Sequence, residues 1–211
     1  MMGILNKLQD LFDKSRALDF LAPLALRLYL APIFIAVGLH KLHNFEGIVY
    51  WFDQSLGLPA PELMAFLATA AELGGGVALL IGLAVRWVAI PLMITMAVAA
   101  GSAHWDNGWF AVAPSDPDTS VAKVLAVIEF PGAEESLQNS VEVGKRLGAA
   151  KSLLREHGNY QWLTEKGGLV VLNNGIEFAV TYFIMLLVLF FQGGGRFISV
   201  DFWLGKIFRK P

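Results

Sequence analysis

Residues 63–85 read LMAFLATAAELGGGVALLIGLAV, with Glu72 as the only charge. An α-helix rises about 1.5 Å per residue, so this stretch reaches across the roughly 30 Å of hydrocarbon in a bilayer. It has no polar face that could lie against water, as a surface helix of a soluble protein would have. A membrane-crossing helix is therefore predicted here. Three more stretches share its character, and spans are expected at about 21–41, 62–85, 87–105 and 175–192. The first carries Arg27, Pro23 and Pro32, the third is uncharged until His104-Trp105-Asp106, and the fourth has Glu177 near its start.

Composition agrees. The chain is 55% hydrophobic and 16% charged, with a mean hydropathy of +0.55, whereas a soluble domain carries about 25% charged residues. This excludes a soluble α/β enzyme and a disordered chain, and a net charge of −2 gives no bulk attraction to nucleic acid. Cysteine is absent. That removes structural disulfides, Cys-ligated metals, iron–sulfur clusters, thiolate nucleophiles and any dithiol relay carried by this chain.

The predicted fold is all-α, an integral membrane four-helix bundle forming a single domain over residues 1–211. Residues 1–20 place Ile4, Leu5, Leu8, Leu11 and Phe12 on one face and read as an interfacial amphipathic helix without the cleavage pattern of a signal peptide. Lys7, Lys14, Arg16, Arg86, Arg196, Lys206, Arg209 and Lys210 flank one side of the spans, against Lys41 alone in the first loop of the other. Basic residues are retained in the cytoplasm, so both termini are expected there. Residues 107–173 then form an extracytoplasmic insertion, turn-rich at PSDPDT (114–119) and helical from Ala133 to His157 through Leu137, Val141, Leu147 and Leu154. It is too short to build a core of its own and is read as a partly helical lid over the outer ends of the spans.

Ionisable groups are costly in hydrocarbon, so Arg27, Glu72 and Glu177 are functional candidates by default. Reckoned by depth, Arg27 and Glu72 meet near mid-membrane, either as a structural clamp or as a proton-carrying carboxylate restrained by a cation. A second polar set gathers at the outer level: His40, Lys41, Glu62, His104, Asp106 and Glu177. Such groups either contact water and head groups or converge on a site. In a site, His104, Glu177 and His40 are candidate ligands of a divalent metal. Glu72, Arg27 and Lys41 are the candidate catalytic residues, with Lys41 stabilising an oxyanion. His40 and Trp105 are the candidate contacts of a cofactor, a quinone in particular. Ala71/Gly75, Ala78/Gly82 and Ala97/Gly101 put small residues at i, i+4 for close helix approach. Trp51, Trp105, Trp109 and Trp162 suit an interfacial belt, and Met93, Met96 and Met185 suit packing. No P-loop, GxGxxG after a strand, HExxH or GxSxG occurs.

Arg27, Gly38-Leu39-His40-Lys41-Leu42, Gly57-Leu58-Pro59-Ala60-Pro61, Glu72-Leu73-Gly74-Gly75, Gly82-Leu83-Ala84-Val85-Arg86 and Gly195-Arg196-Phe197-Ile198-Ser199-Val200-Asp201 occur in that order. The order resembles the DoxX family of small four-helix bacterial inner-membrane proteins, over about residues 20–106 and 174–204. His104-Trp105-Asp106-Asn107-Gly108 and Asn173-Asn174-Gly175-Ile176-Glu177 look like a branch found near genes for copper-associated modified peptides, with the long insertion as a departure. The family takes its name from the membrane subunit of a thiosulfate:quinone oxidoreductase. The resemblance thus implies a quinone-linked or metal-assisted redox accessory subunit with a partner redox protein. The alternative is a non-catalytic scaffold or assembly factor for a partner enzyme in metal-associated peptide maturation. Either could be a homo-oligomer, embedded in the lipid bilayer and binding no nucleic acid. A transporter is disfavoured by the lack of an inverted repeat.

Overall fold

The computed structural model describes residues 2–130 and 132–208. Arg209 and Lys210 of the expectations above lie outside the described residues, as do the side chains of Ile4, Leu5, Lys7, Leu8 and Leu11. The chain runs α1 (Met2–Ser15), α2 (Leu21–His43), α3 (Phe45–Gln54), α4 (Pro61–Ile81) and α5 (Val85–Val98). After α5 come a π-helical turn at Ala99–His104 and a 3-10 turn at Trp105–Asn107. Then follow α6 (Ala122–Val127), α7 (Ala133–His157), α8 (Tyr160–Thr164), α9 (Glu177–Gln192) and α10 (Val200–Phe208).

Three helical stretches are long and apolar enough to cross a membrane: Leu21–His43, Pro61–Ile81 and the continuous run Val85–Asn107. The fourth expected span is a shorter apolar helix, Glu177–Gln192, about 24 Å long at helical rise. Backbone contacts divide the chain into two compact units, one joining the chain up to Ala103 with the part from Ala179 onward, the other His104–Phe178.

In the first unit the core is built by Leu30, Ala31 and Phe34 of α2, Leu79 of α4, Val85 and Leu92 of α5, and Leu186 and Leu189 of α9. The spacings are three and four residues on α2, seven on α5 and three on α9, so each of these helices contributes one stripe. The opposite faces carry exposed Leu28, Phe66, Ile94 and Ile184, an apolar exterior that suits lipid. Ile48 and Phe52 pack α3 onto α4 through Ala65.

Glycines set how closely the helices approach. A Cβ at Gly38 would lie 2.6 Å from the backbone nitrogen of Leu73, one at Gly76 would lie 2.9 Å from that of Ile35, and one at Gly75 would meet the Leu92 side chain. The expected small-residue pairs are corrected in two places. Gly101 faces open space, and Gly82 (φ +73) ends α4 as its left-handed cap. Replacing Gly38 with alanine is accordingly expected to push α2 off α4, because the clash is with backbone. The expected cost is about 1–3 kcal/mol of stability. Thermal unfolding in detergent checks this, with Gly101→Ala as the variant that leaves the midpoint in place.

The second unit takes its shape from α7 and from two paired segments. Ala133, Ser140, Val143 and Leu147 form the buried stripe of α7. Val141, expected on that face, is exposed. Gly144 lies against the Ser115 carbonyl, so the PSDPDT stretch packs directly on α7.

Candidate functional site

Two buried charges organise the first unit, and they do not meet. Arg27, 1% exposed, donates from Nε to Leu79 O (2.7 Å), from Nη1 to Gly194 O (2.6 Å) and Ile198 O (2.8 Å), and from Nη2 to Leu80 O (3.0 Å). Leu79 and Leu80 belong to the last turn of α4, where carbonyls lack the amides of a following turn and Leu79 O takes only the cap amide of Gly82 (3.2 Å) besides Arg27. The negative end of the helix dipole falls there as well, so carbonyl oxygens serve the guanidinium where no carboxylate lies in salt-bridge range among the described residues. Gly82 is needed beside it, since a Cβ there would lie 2.7 Å from the guanidinium carbon.

The same corner is closed by Asp201. Its carboxylate accepts Ala84 N (2.6 Å) and Val85 N (2.9 Å), capping α5 from a distant part of the chain, while its own amide donates to Gly82 O (3.0 Å). Ala84 holds a left-handed conformation (φ 49) that the two bonds fix. The glycine and Asp201 in the two quoted motifs are thus parts of one turn-locking arrangement around Arg27.

Glu72 pairs with Lys41. Lys41 Nζ lies 2.6 Å from Glu72 Oε1, with the lysine side chain 14% exposed and the glutamate 2%. The Gly38–Leu73 contact explains the pairing, because Lys41 is one turn beyond Gly38 and Glu72 is the neighbour of Leu73. The expected Arg27–Glu72 pair is therefore not formed. Arg27 sits at the level of Leu79 and Leu80, two turns or about 10 Å along α4 from Glu72. Glu72 Oε2 is fully buried and accepts no hydrogen bond among the described residues.

His40 is exposed on α2. Glu62 is exposed on the first turn of α4, in a shallow groove with Glu46 and Asp53. In the second unit His104 Nδ1 donates to Asn174 O (2.9 Å), and Glu177 Oε2 accepts Ala111 N (2.9 Å). Asn173 Nδ2 donates to Asn107 O (2.5 Å) and Phe110 O (2.8 Å), and the amides of Gly175, Ile176 and Glu177 bond to Phe110, Gly108 and Trp109. The two motifs that suggested metal chemistry thus knit residues 104–113 to 171–177, with Gly175 pressed against Gly108 O. Trp105 and Asp106 are exposed in the 3-10 turn. Among the described residues no group of three His, Cys, Asp or Glu side chains is placed to hold a metal ion.

Sequence reasoning passed over Asp201 and the carbonyl cage. The usable signal was the helix-ending Gly82 followed so soon by a new apolar helix, which demands a cap from elsewhere.

Residues 22–105 match the DoxX family model, a range that holds Arg27, Lys41, Glu72 and all the close-contact glycines of α2 and α4. "Putative oxidoreductase CatD" of Bacillus subtilis (strain 168) is 40% identical over 73 residues, 35% of this chain and 52% of CatD. "Inner membrane protein YphA" of Escherichia coli (strain K12) is 31% identical over 130 residues, 58% of this chain and 91% of YphA. The chain thus spans about half the length of CatD and nearly all of YphA. No solved structure matches it.

Proposed function

Because the chain belongs to the DoxX family, we propose that it is a multi-pass protein of a bacterial inner membrane that serves as a quinone-linked redox accessory subunit. Lys41 and Glu72 form its working pair. The inner-membrane placement follows the name carried by YphA, and the redox reading follows the family and the oxidoreductase in the name of CatD. The Lys and Arg bias of the flanks supports four spans with both termini cytoplasmic, which puts Lys41 and Glu72 towards the outer face.

The observation that carries the reading is the unmatched oxygen of Glu72. A buried carboxylate oxygen without a donor is rare and calls for a partner. A quinol hydroxyl supplies one. Glu72 takes the first proton as the quinol is oxidised, Lys41 steadies the resulting oxyanion, the second proton leaves to water, and two electrons pass to a partner redox protein. His40, next to Lys41 in sequence, is the proposed further contact of the head group.

In nanodiscs, a short-chain quinol is expected to bind the purified protein, and Glu72→Gln to weaken it about tenfold, the worth of one charge-assisted hydrogen bond. Titration calorimetry reads both. Absence of binding in the unaltered protein, or equal affinity in Glu72→Gln, overturns the proposal. The competing reading, a scaffold for a partner enzyme, draws on the backbone engagement of His104 and Glu177 and on the exposed Val121, Val124, Val127 and Ile128 of the second unit.

A further inference from the structure

A cavity of about 1120 Å³ lies in the first unit where the start of α5, the end of α9 and α10 come together. Its lining carries two cations, Arg86 and Arg196, and two anions, Asp19 and Asp201. Arg196 is bound to Asp19 (2.6 Å), and Asp201 is taken up by the amides of Ala84 and Val85. Arg86 donates Nε to Phe190 O (2.8 Å) and stacks on the Phe190 ring, and its two terminal nitrogens have no partner among the described residues. The rest of the lining is largely apolar, including Trp87, Ile90, Phe202 and Phe208. Trp87 is 77% exposed on a membrane-crossing helix, so the cavity borders lipid.

Its depth in the bilayer follows from α10. That helix buries no residue and exposes Trp203, Ile207 and Phe208, while Lys206 lies 4.7 Å from the Phe202 ring. Aromatic residues mixed with a basic one on a short amphipathic helix mark the head-group level. An unmatched guanidinium at that level, above an apolar recess, is matched by one chemistry: a phosphate carrying acyl chains. We propose that this cavity is a binding site for an anionic phospholipid, with its phosphate on Arg86 and a chain along Trp87, Ile90 and Phe202.

The test uses the whole protein, delipidated in detergent, mixed with phosphatidylglycerol or phosphatidylcholine, and weighed by native mass spectrometry. Phosphatidylglycerol is expected to be retained about fivefold better than phosphatidylcholine, the preference worth one basic side chain near the bilayer surface. Arg86→Gln is expected to erase that preference. A second variant leaves Arg86 alone: a Cβ at Gly205, on the cavity wall, meets nothing within 4 Å, so Gly205→Trp fills the recess. It is expected to lower retention of both lipids and it decides the matter if Arg86→Gln does not fold. Equal retention of the two lipids, an unchanged preference in Arg86→Gln, or unchanged retention in Gly205→Trp overturns the proposal. So does displacement of phosphatidylglycerol by millimolar inorganic phosphate, which would mark a free-anion site.

Discussion

Arg27→Met is expected to be the most damaging single substitution in this chain, with a fall in the thermal unfolding midpoint of about 6 °C or more in detergent. Methionine nearly fills the volume but donates nothing, so the change isolates the loss of the four bonds to Leu79, Leu80, Gly194 and Ile198. A buried carbonyl left without a donor costs about 1–3 kcal/mol. Leu79 O keeps the Gly82 amide (3.2 Å), so three carbonyls are stranded at a cost of about 3 kcal/mol at the low end, and a chain of this size loses about 2–4 °C per kcal/mol. Arg27→Lys keeps the charge but has three donors in a tetrahedral rather than a planar array, so it cannot span all four carbonyls. Its midpoint is expected between the two. A midpoint for Arg27→Met within about 2 °C of the unaltered protein would mean that the carbonyl cage contributes nothing, and would return Arg27 to the list of reactive groups.

Why the sequence suggested a different partner for Arg27 is a matter of helix register. Depth along each span is legible from residue count, and by that count Arg27 and Glu72 look level. Antiparallel helices, however, take their register from the contact that lets them approach. Gly38 lies on Leu73 and Gly76 on Ile35, so partners on α4 run upward in number as those on α2 run downward. Arg27, about three turns before Gly38, arrives at Leu79–Gly82, while Lys41 arrives at Glu72. Nothing in hydropathy encodes that register, because it depends on which glycine faces which backbone. Three of the four expected apolar spans were legible as helices long enough to cross, since the bilayer imposes their length and composition, while the fourth is the shorter helix Glu177–Gln192. So was α7, whose bounds Ala133 and His157 stand where they were expected. The roles of Asn173, Asn174 and Gly175 were not: their work is hydrogen bonding to backbone, which leaves no chemical signature distinct from that of a ligand.

The second large effect concerns the pair that register creates. Lys41→Met leaves the Glu72 carboxylate buried with neither of its oxygens matched, and breaking a buried pair from one side costs about 3–5 kcal/mol. Glu72→Gln is expected to cost about 1 kcal/mol, because Lys41 is partly exposed near the end of α2 and its long stem can carry the ammonium to water. The double variant is expected to lie close to Glu72→Gln, so that the cycle shows a coupling of about 2 kcal/mol or more. Equal losses for the two single variants would mean that solvent reaches Glu72 and that the pair is an ordinary surface contact. The comparison also separates stability from chemistry. A clamp kept for stability alone would be improved by pairing both carboxylate oxygens or by apolar packing, since buried ion pairs seldom outperform well-packed hydrophobic substitutes. A Glu72→Gln variant that loses only about 1 kcal/mol of stability yet binds quinol about tenfold more weakly would place the worth of Glu72 in the oxygen it leaves unpaired.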